Sequence, residues 1–139
     1  MIWDILGEKL TAAGLGKFDD GTDEGDMFIL DMPAETRKGI GLYAPLDGIK
    51  INPHLPGFYK PDIKVIVRDV NVQAGIARAN AVMKALTIDK EELYEANDQH
   101  GRIMLKIFYP SKLPIQYPRQ DGNTIEWSLN FTTAFTILE

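Results

Sequence analysis

The stretch that decides the fold is IEWSLNFTTAFTI, residues 125–137. Its residues divide into two alternating sets, and a period of two is the period of a β-strand. One set is Ile125, Trp127, Leu129, Phe131, Thr133, Phe135 and Ile137, and the other is Glu126, Ser128, Asn130, Thr132, Ala134 and Thr136. Only an extended strand places the first, largely apolar set on one face. The sequence therefore predicts a long final strand with one face in the core.

Four further stretches have the composition of strands. They are MFILDMP (27–33), GIGLYA (39–44), DIKVIVRD (62–69) and RIMLKIFY (102–109). Pro33 ends the first and Pro110 follows the last, since proline lacks the N–H that a central strand donates. In the last stretch we expect one side to carry Ile103, Leu105, Ile107 and Tyr109.

Two segments have the spacing of amphipathic helices. The first covers residues 2–13, before the helix-ending Gly14 and Gly16. The second begins after Asn71, a residue type that caps helices. Its expected buried stripe is Val72, Ile76, Ala79, Met83 and Leu86. Residues 87–101 are ambiguous: DKEELYEAN is compatible with a short helical turn, and NDQHG indicates a turn.

Three segments lack apolar periodicity. KFDDGTDEGD (17–26) is acidic and predicts a solvated loop. Residues 45–61 and the segment PSKLPIQYPRQDGN (110–123) are rich in proline. Long irregular connections of this kind are often functional. We expect both proline-rich segments to extend beyond the compact body as interaction loops.

The element order predicts a single domain over residues 1–139. The later strands are joined by connections too short for a crossover helix, which favours antiparallel pairing. We therefore expect an α+β fold with a mainly antiparallel, mixed sheet of about four to five strands and both helices packed on one face.

Composition excludes several classes of function. The chain has no cysteine, so a disulfide framework, a thiolate nucleophile and a cysteine-based zinc site are impossible. A signal peptide and a run of about 18 apolar residues are both missing from the sequence, which predicts an intracellular product with no membrane partner. The formal net charge of −5 does not favour binding to a phosphate backbone.

Motifs for chemistry are also missing. The strand-to-helix turn RDVNVQAG has Gly75 as its only glycine and places Asp69 where phosphate would be repelled, so a nucleotide site is not expected. His54 and His100 have no partner at metal-ligand spacing, and we interpret both as surface residues. The acidic segment does not match a calcium-binding loop. We expect no enzyme activity, no cofactor and no metal.

The order of features resembles a known family, the tail terminator or tail-completion proteins of long-tailed bacteriophages, some of which are labelled minor capsid proteins. The similarity lies in the turn GLGKF, in MFILDMPAETRKGIGLYAP, in YKPDIKVIVRDVNVQAGIARANAVMKAL and in the closing EWSLNFTTAF. The connection at residues 45–61 is longer than the family's usual one, and PSKLPIQYPRQDGN is distinctive.

This resemblance implies a structural virion protein of the tail and neck, assembled in the host cytoplasm. Its partners would be copies of itself in a ring, commonly of six subunits, the tail tube protein and a head-closure or connector protein. DNA would pass through the lumen without specific binding. By analogy, we expect contacts in the two proline-rich loops and at the corner after residue 67. The expected contact residues are Arg68, Asp69, Asp47, Lys50, His54, Phe58, Tyr59, Lys112, Tyr117 and Arg119.

Two alternatives stay open at this point. One is another neck component of the same particle, such as a head-closure or connector protein. The other is a small cytoplasmic domain that binds a ligand or acts as a hydrolase. The second alternative requires a closed pocket with convergent polar groups around His100 or Arg102.

Overall fold

The fold is described from a computed structural model, over residues 2–17, 26–30, 32, 36–45, 48–98, 100–119 and 123–138. Two helices and eight strands lie in this part of the chain. In order they are α1 (Ile2–Ala12), β1 (Met27–Ile29), β2 (Gly39–Tyr43), β3 (Phe58–Tyr59), β4 (Asp62–Asp69), α2 (Val72–Leu86), β5 (Glu92–Tyr94), β6 (Ile103–Pro110), β7 (Ile115–Gln116) and β8 (Ile125–Ile137).

The final strand is the centre of the sheet, and its predicted extent is confirmed. On one edge β8 pairs with β4 through residues 125–132 and with β3 through residues 135–136. On the other edge it pairs with β7 at residues 127–128 and with β6 at residues 131–137. The residues of the predicted inward set from Ile125 to Phe135 are all buried.

The strands form one mixed sheet in the order β1-β2-β4-β8-β6-β5, with β3 and β7 also paired to β8. The pair β1–β2 is parallel, and the remaining pairs are antiparallel. The α+β class was therefore predicted correctly, but the strand number was too low. The missed strands are two or three residues long, and so short a stretch has no readable period.

Both helices lie on one face of this sheet. A Cβ atom added at Gly75 of α2 would lie 2.1 Å from the Trp127 ring, so α2 sits directly on the inner face of β8. On α1, Lys9 donates a hydrogen bond to Glu92 of β5 at 2.8 Å. Glu92 of β5 pairs with Leu105 of β6, and Leu105 pairs with Phe135 of β8. Residues paired across neighbouring strands have their side chains on the same face of the sheet. The side chains of Glu92 and Trp127 therefore belong to the same face.

The predicted stripe of α2 was partly wrong. Val72 and Ile76 are exposed, and the buried positions are Gly75, Ala79, Val82 and Leu86. That set also has helical spacing. The helix is rotated because its glycine lies against the largest side chain of the inner face, and only a residue without a Cβ permits that approach.

The beginning of α2 agrees with the sequence. The Asn71 side chain accepts a hydrogen bond from the Ala74 N–H at 2.9 Å, as the predicted N-cap should. Asp69 adds to this turn, because its Oδ1 accepts from the N–H groups of Val70 and Asn71.

Strand β6 differs from the predicted alternation. Its register shifts between Leu105 and Ile107, which is the signature of a bulge. Beyond the shift Phe108 is buried, while Ile107 and Tyr109 are exposed. The Phe108 ring stacks on Phe131 with centroids 4.7 Å apart. The bulge therefore places the aromatic Phe108 in the core instead of the expected Ile107.

The ambiguous segment after α2 forms a strand, so the alternative of a helical turn was wrong. Glu92 of β5 accepts hydrogen bonds from Lys9 and from the Tyr94 hydroxyl. Burial alone would raise the pKa of Glu92, but these two bonds and the nearby lysine charges lower it. Burial and the bond to Glu92 raise the pKa of Tyr94. The strand is thus attached to α1 by a charged pair.

We predict that Gly75→Ala destabilises the domain by about 1–3 kcal/mol, because the methyl group overlaps the Trp127 ring. Urea denaturation followed by tryptophan fluorescence measures this change. The matched control is Gln73→Ala, at an exposed position of the same helix, which should change stability by less than about 0.5 kcal/mol. Equal stability of Gly75→Ala and the control would contradict the packing described.

A second prediction concerns Glu92→Gln. The carboxylate is partly exposed, so the loss at neutral pH should be below about 1 kcal/mol. Because the pKa of Glu92 is lower in the folded chain, its ionisation stabilises the fold above the unfolded-state pKa, and this stabilisation is lost as pH falls through the folded-state pKa. Thermal unfolding should therefore separate the two proteins at pH 7 and not at strongly acidic pH. A difference that grows on acidification would contradict this account.

Candidate assembly interfaces

The first proline-rich loop is a compact turn attached to the end of β8. The Leu55 N–H donates to the Asn52 carbonyl at 3.0 Å, and the Phe58 N–H donates to the Leu55 carbonyl at 3.1 Å. Gly57 has φ +79°, and its carbonyl accepts from the Ile137 N–H at 2.8 Å. A side chain at Gly57 would be strained and would approach the Ile137 carbonyl to 2.9 Å. The loop position is therefore fixed by β8.

This loop presents apolar side chains to the outside. Ile51 is 76% exposed and Leu55 is 50% exposed. They line an open cleft of about 790 Å³ together with Phe58 and the cationic Lys50 and Lys60. Exposed aliphatic groups beside a cleft are a feature of docking surfaces.

The predicted contact residues of this loop have different environments. His54 and Lys50 are exposed, and their contact role stays a prediction. Phe58 and Tyr59 are half-buried and form β3, which corrects the expectation that the whole segment extends beyond the body. The Tyr59 ring packs on Phe135 with centroids 5.4 Å apart. Asp47 lies outside the described residues.

The second proline-rich loop lies along the other edge of β8. The Ser111 N–H donates to the Asn130 carbonyl and the Tyr117 N–H to the Glu126 carbonyl, both at 2.9 Å. Between these bonds β7 pairs with β8. This loop therefore also follows the body more closely than expected, because its backbone completes the β8 ladder.

The tip of this loop is still strongly exposed. Leu113 is 80% exposed, and Lys112 and Tyr117 are exposed beside it. Arg119 crosses to the end of β4 and donates from Nη1 to the carbonyls of Val70 at 3.2 Å and Asn123 at 2.8 Å. Lys112, Tyr117 and Arg119, all predicted contact residues, are exposed along this one loop.

The two loops lie on opposite edges of β8. The first is attached at Ile137 and the second pairs at Trp127. Ten residues of extended chain separate these points, which corresponds to about 30 Å. One domain therefore holds two exposed apolar loops in a fixed relation, on opposite edges of β8.

The corner after β4 is more enclosed than the sequence indicated. The Arg68 Nε and Nη2 atoms both donate to Glu126 Oε2, at 2.9 and 2.7 Å, and its Nη1 donates to the Thr36 carbonyl at 3.0 Å. Asp69 is 4% exposed and holds the first turn of α2. The predicted role of Arg68 and Asp69 at an interface stays a prediction.

The structure shows the surroundings of His100 and Arg102, the residues that the ligand-binding or hydrolase alternative requires. His100 is buried, which corrects its interpretation as a surface residue, and its Nδ1 lies 2.7 Å from the Gly101 carbonyl. Arg102 forms an exposed ion pair with Glu95. No set of three His, Asp or Glu side chains in the described ranges is placed to hold a metal ion. Most of the acidic segment considered for calcium lies outside those ranges.

The buried position of His100 has no signal in its own residue type. It depends on the turn of residues 97–100, in which the Asn97 N–H donates to the His100 carbonyl at 2.9 Å and the His100 N–H donates to Asn97 Oδ1 at 3.0 Å.

Neither α1 nor α2 has the length and hydrophobicity needed to cross a membrane.

Comparison with known proteins gives the family. A search of curated proteins found no match. A family model described as bacteriophage tail terminator protein matches residues 14–137, which include α2 and every strand of the sheet. The family is a structural one of phage tail components. Because the match covers most of the chain, this protein belongs to the bacteriophage tail terminator family.

Proposed function

We propose that this chain forms a ring, commonly of six subunits, that caps the completed tail tube, ends tube polymerisation and joins the tail to the head connector. The observation that carries the proposal is the position of two exposed apolar loops on opposite edges of β8, one attached at Ile137 and the other along residues 126–130. A terminator must contact its ring neighbours, the tube and the head-side protein at once, so it needs several separate surfaces on one rigid body.

The construction of the loops supports such a role. Each is limited by prolines and is hydrogen-bonded to β8, at Gly57 in the first loop and at Ser111 and Tyr117 in the second. Loops that are already ordered lose less conformational entropy on binding than flexible ones. Apolar side chains on ordered loops are therefore suited to stable contacts with other proteins.

Electrostatics also supports passage of the genome. The chain carries a formal net charge of −5. A ring of such subunits would repel the phosphate backbone over much of its surface, which favours transit of DNA over retention.

The ligand-binding or hydrolase alternative has less support. Its requirement was a closed pocket around His100 or Arg102, and neither residue lines the 790 Å³ cleft at the first loop or the 670 Å³ cleft beside α2. The alternative of another neck component would use the same loops, and electron microscopy distinguishes it from a tail terminator.

We predict that the double variant Ile51→Ser, Leu55→Ser folds normally but fails in assembly. Both side chains are at least half exposed, so stability should change by less than about 0.5 kcal/mol per site. Removing two central contacts should weaken binding at least about tenfold. Complementation of a phage lacking the gene, followed by electron microscopy, should show overlong or uncapped tails and few infectious particles.

The matched control is Lys84→Ser, an exposed position of α2, which should restore normal tails. Finished free tails of normal length from the double variant would indicate a head-side neck protein instead. Normal, infectious particles would contradict the assembly role of the loop.

A further inference from the structure

One segment has a charge opposite to that of the whole chain. Residues 102–119 contain four cationic side chains and no aspartate or glutamate. The cations are Arg102, Lys106, Lys112 and Arg119. Since the chain carries −5, the residues outside this segment together carry −9. We call residues 102–119 the basic strip.

The basic strip is also the most exposed apolar part of the sheet. Its exposed large side chains are Ile107, Tyr109, Leu113, Ile115 and Tyr117. Three of these are opposite β8 residues that alternate with Trp127: Ile107 is opposite Ala134, Tyr109 opposite Thr132, and Ile115 opposite Ser128. They therefore project from the face of the sheet that does not carry the helices.

The strip lies along a sheet edge that is only partly covered. Strand β5 covers β6 at residues 103–105. From Ile107 onward, β8 is the only strand paired with β6 in the described ranges, and β7 likewise pairs with β8 alone. The edge of β6 is covered there at one point, where the Ile88 N–H donates to the Phe108 carbonyl at 3.0 Å. An edge with exposed apolar side chains is a surface on which a further protein can pack.

The strip's charges are incompletely neutralised within the subunit. Arg102 and Lys106 form ion pairs with Glu95 and Glu91, at 3.3 and 3.5 Å, on the exposed side of β5. Such exposed pairs are weak. Arg119 donates to two carbonyls, and neither Arg119 nor Lys112 has a carboxylate partner among the described residues. The positive charge is therefore concentrated at the loop end of the strip.

We propose that the basic strip is the surface by which each subunit binds the next copy of this chain in the ring. The reason for this occupant is charge complementarity, because the rest of a second copy is acidic. Two strips facing each other would place like charges together, which disfavours a two-fold contact. The contact is therefore between different surfaces of the two copies, and contacts of that kind close into rings. This inference rests on the proposed ring.

Basic segments with tyrosines also suit nucleic acid, so DNA binding is the main competing outcome. The structure favours protein, since Leu113 is the most exposed large apolar side chain of the strip and the strip's cations stand beside aliphatic groups rather than in a continuous row. Base-stacking surfaces use aromatic platforms with cations along the backbone path.

The test uses the double variant Lys112→Glu, Leu113→Asp, both positions being exposed. Native mass spectrometry and analytical ultracentrifugation over a range of concentrations, with and without purified tail tubes, measure ring formation. We expect subunit association to weaken more than about tenfold, and wild-type association to weaken with added salt. The matched control Lys84→Glu makes the same charge reversal on α2 and should assemble like the wild type.

Mixing gives a second readout. Because the variant changes only the strip and keeps the rest of its surface, it should join wild-type subunits on one side only and convert rings into incomplete oligomers. Exclusion of the variant from mixed complexes would indicate a two-fold contact and overturn the proposal.

The remaining outcomes are distinguishable. If the wild type forms rings and the double variant assembles equally well, the role proposed for the basic strip is overturned and the proposed function stays intact. A wild-type chain that forms no ring, even on tubes, would overturn both. If the wild type binds duplex DNA and the double variant does not, the basic strip is a nucleic-acid surface and the proposal is overturned.

Discussion

The pairing of β8 on both edges is the constraint on which the rest of the structure depends. Four strands take their register from this one segment, β4 and β3 on one side and β6 and β7 on the other. Because side chains alternate, a shift of one residue would move Trp127 from beneath α2 to the opposite face. Sheet order, helix position and the location of both exposed loops therefore follow from one register.

Features that repeat over many residues could be predicted from sequence. The alternation of β8 extends over thirteen residues, and that of β4 over eight, so each excludes a helix. The cap at Asn71 could also be predicted, because it depends on local hydrogen bonding that the residue type itself supplies. The irregular course of the two proline-rich segments could be predicted in part, since proline restricts backbone geometry wherever it stands. The strands β3 and β7 within them could not.

Features that depend on distant partners could not be predicted. The rotation of α2 depends on Gly75 meeting Trp127, 52 positions later in the sequence. The bulge in β6 is favoured by the stacking of Phe108 on Phe131. Strands β3 and β7 exist because β8 offers them free backbone groups. Similarly, Arg68 has the residue type of a contact residue, and its pairing with Glu126 is visible only once β4 and β8 are side by side.

The central strand β8 separates the two proposed assembly surfaces, the loop at residues 48–57 on one edge and the basic strip on the other. Cryo-electron microscopy of the tail-to-head joint in the phage particle tests this most directly. We predict that residues 102–119 of each copy contact the next copy, and that residues 48–57 contact the tube or the head-side protein. A ring in which both surfaces face solvent, or a joint without this protein, would contradict the account.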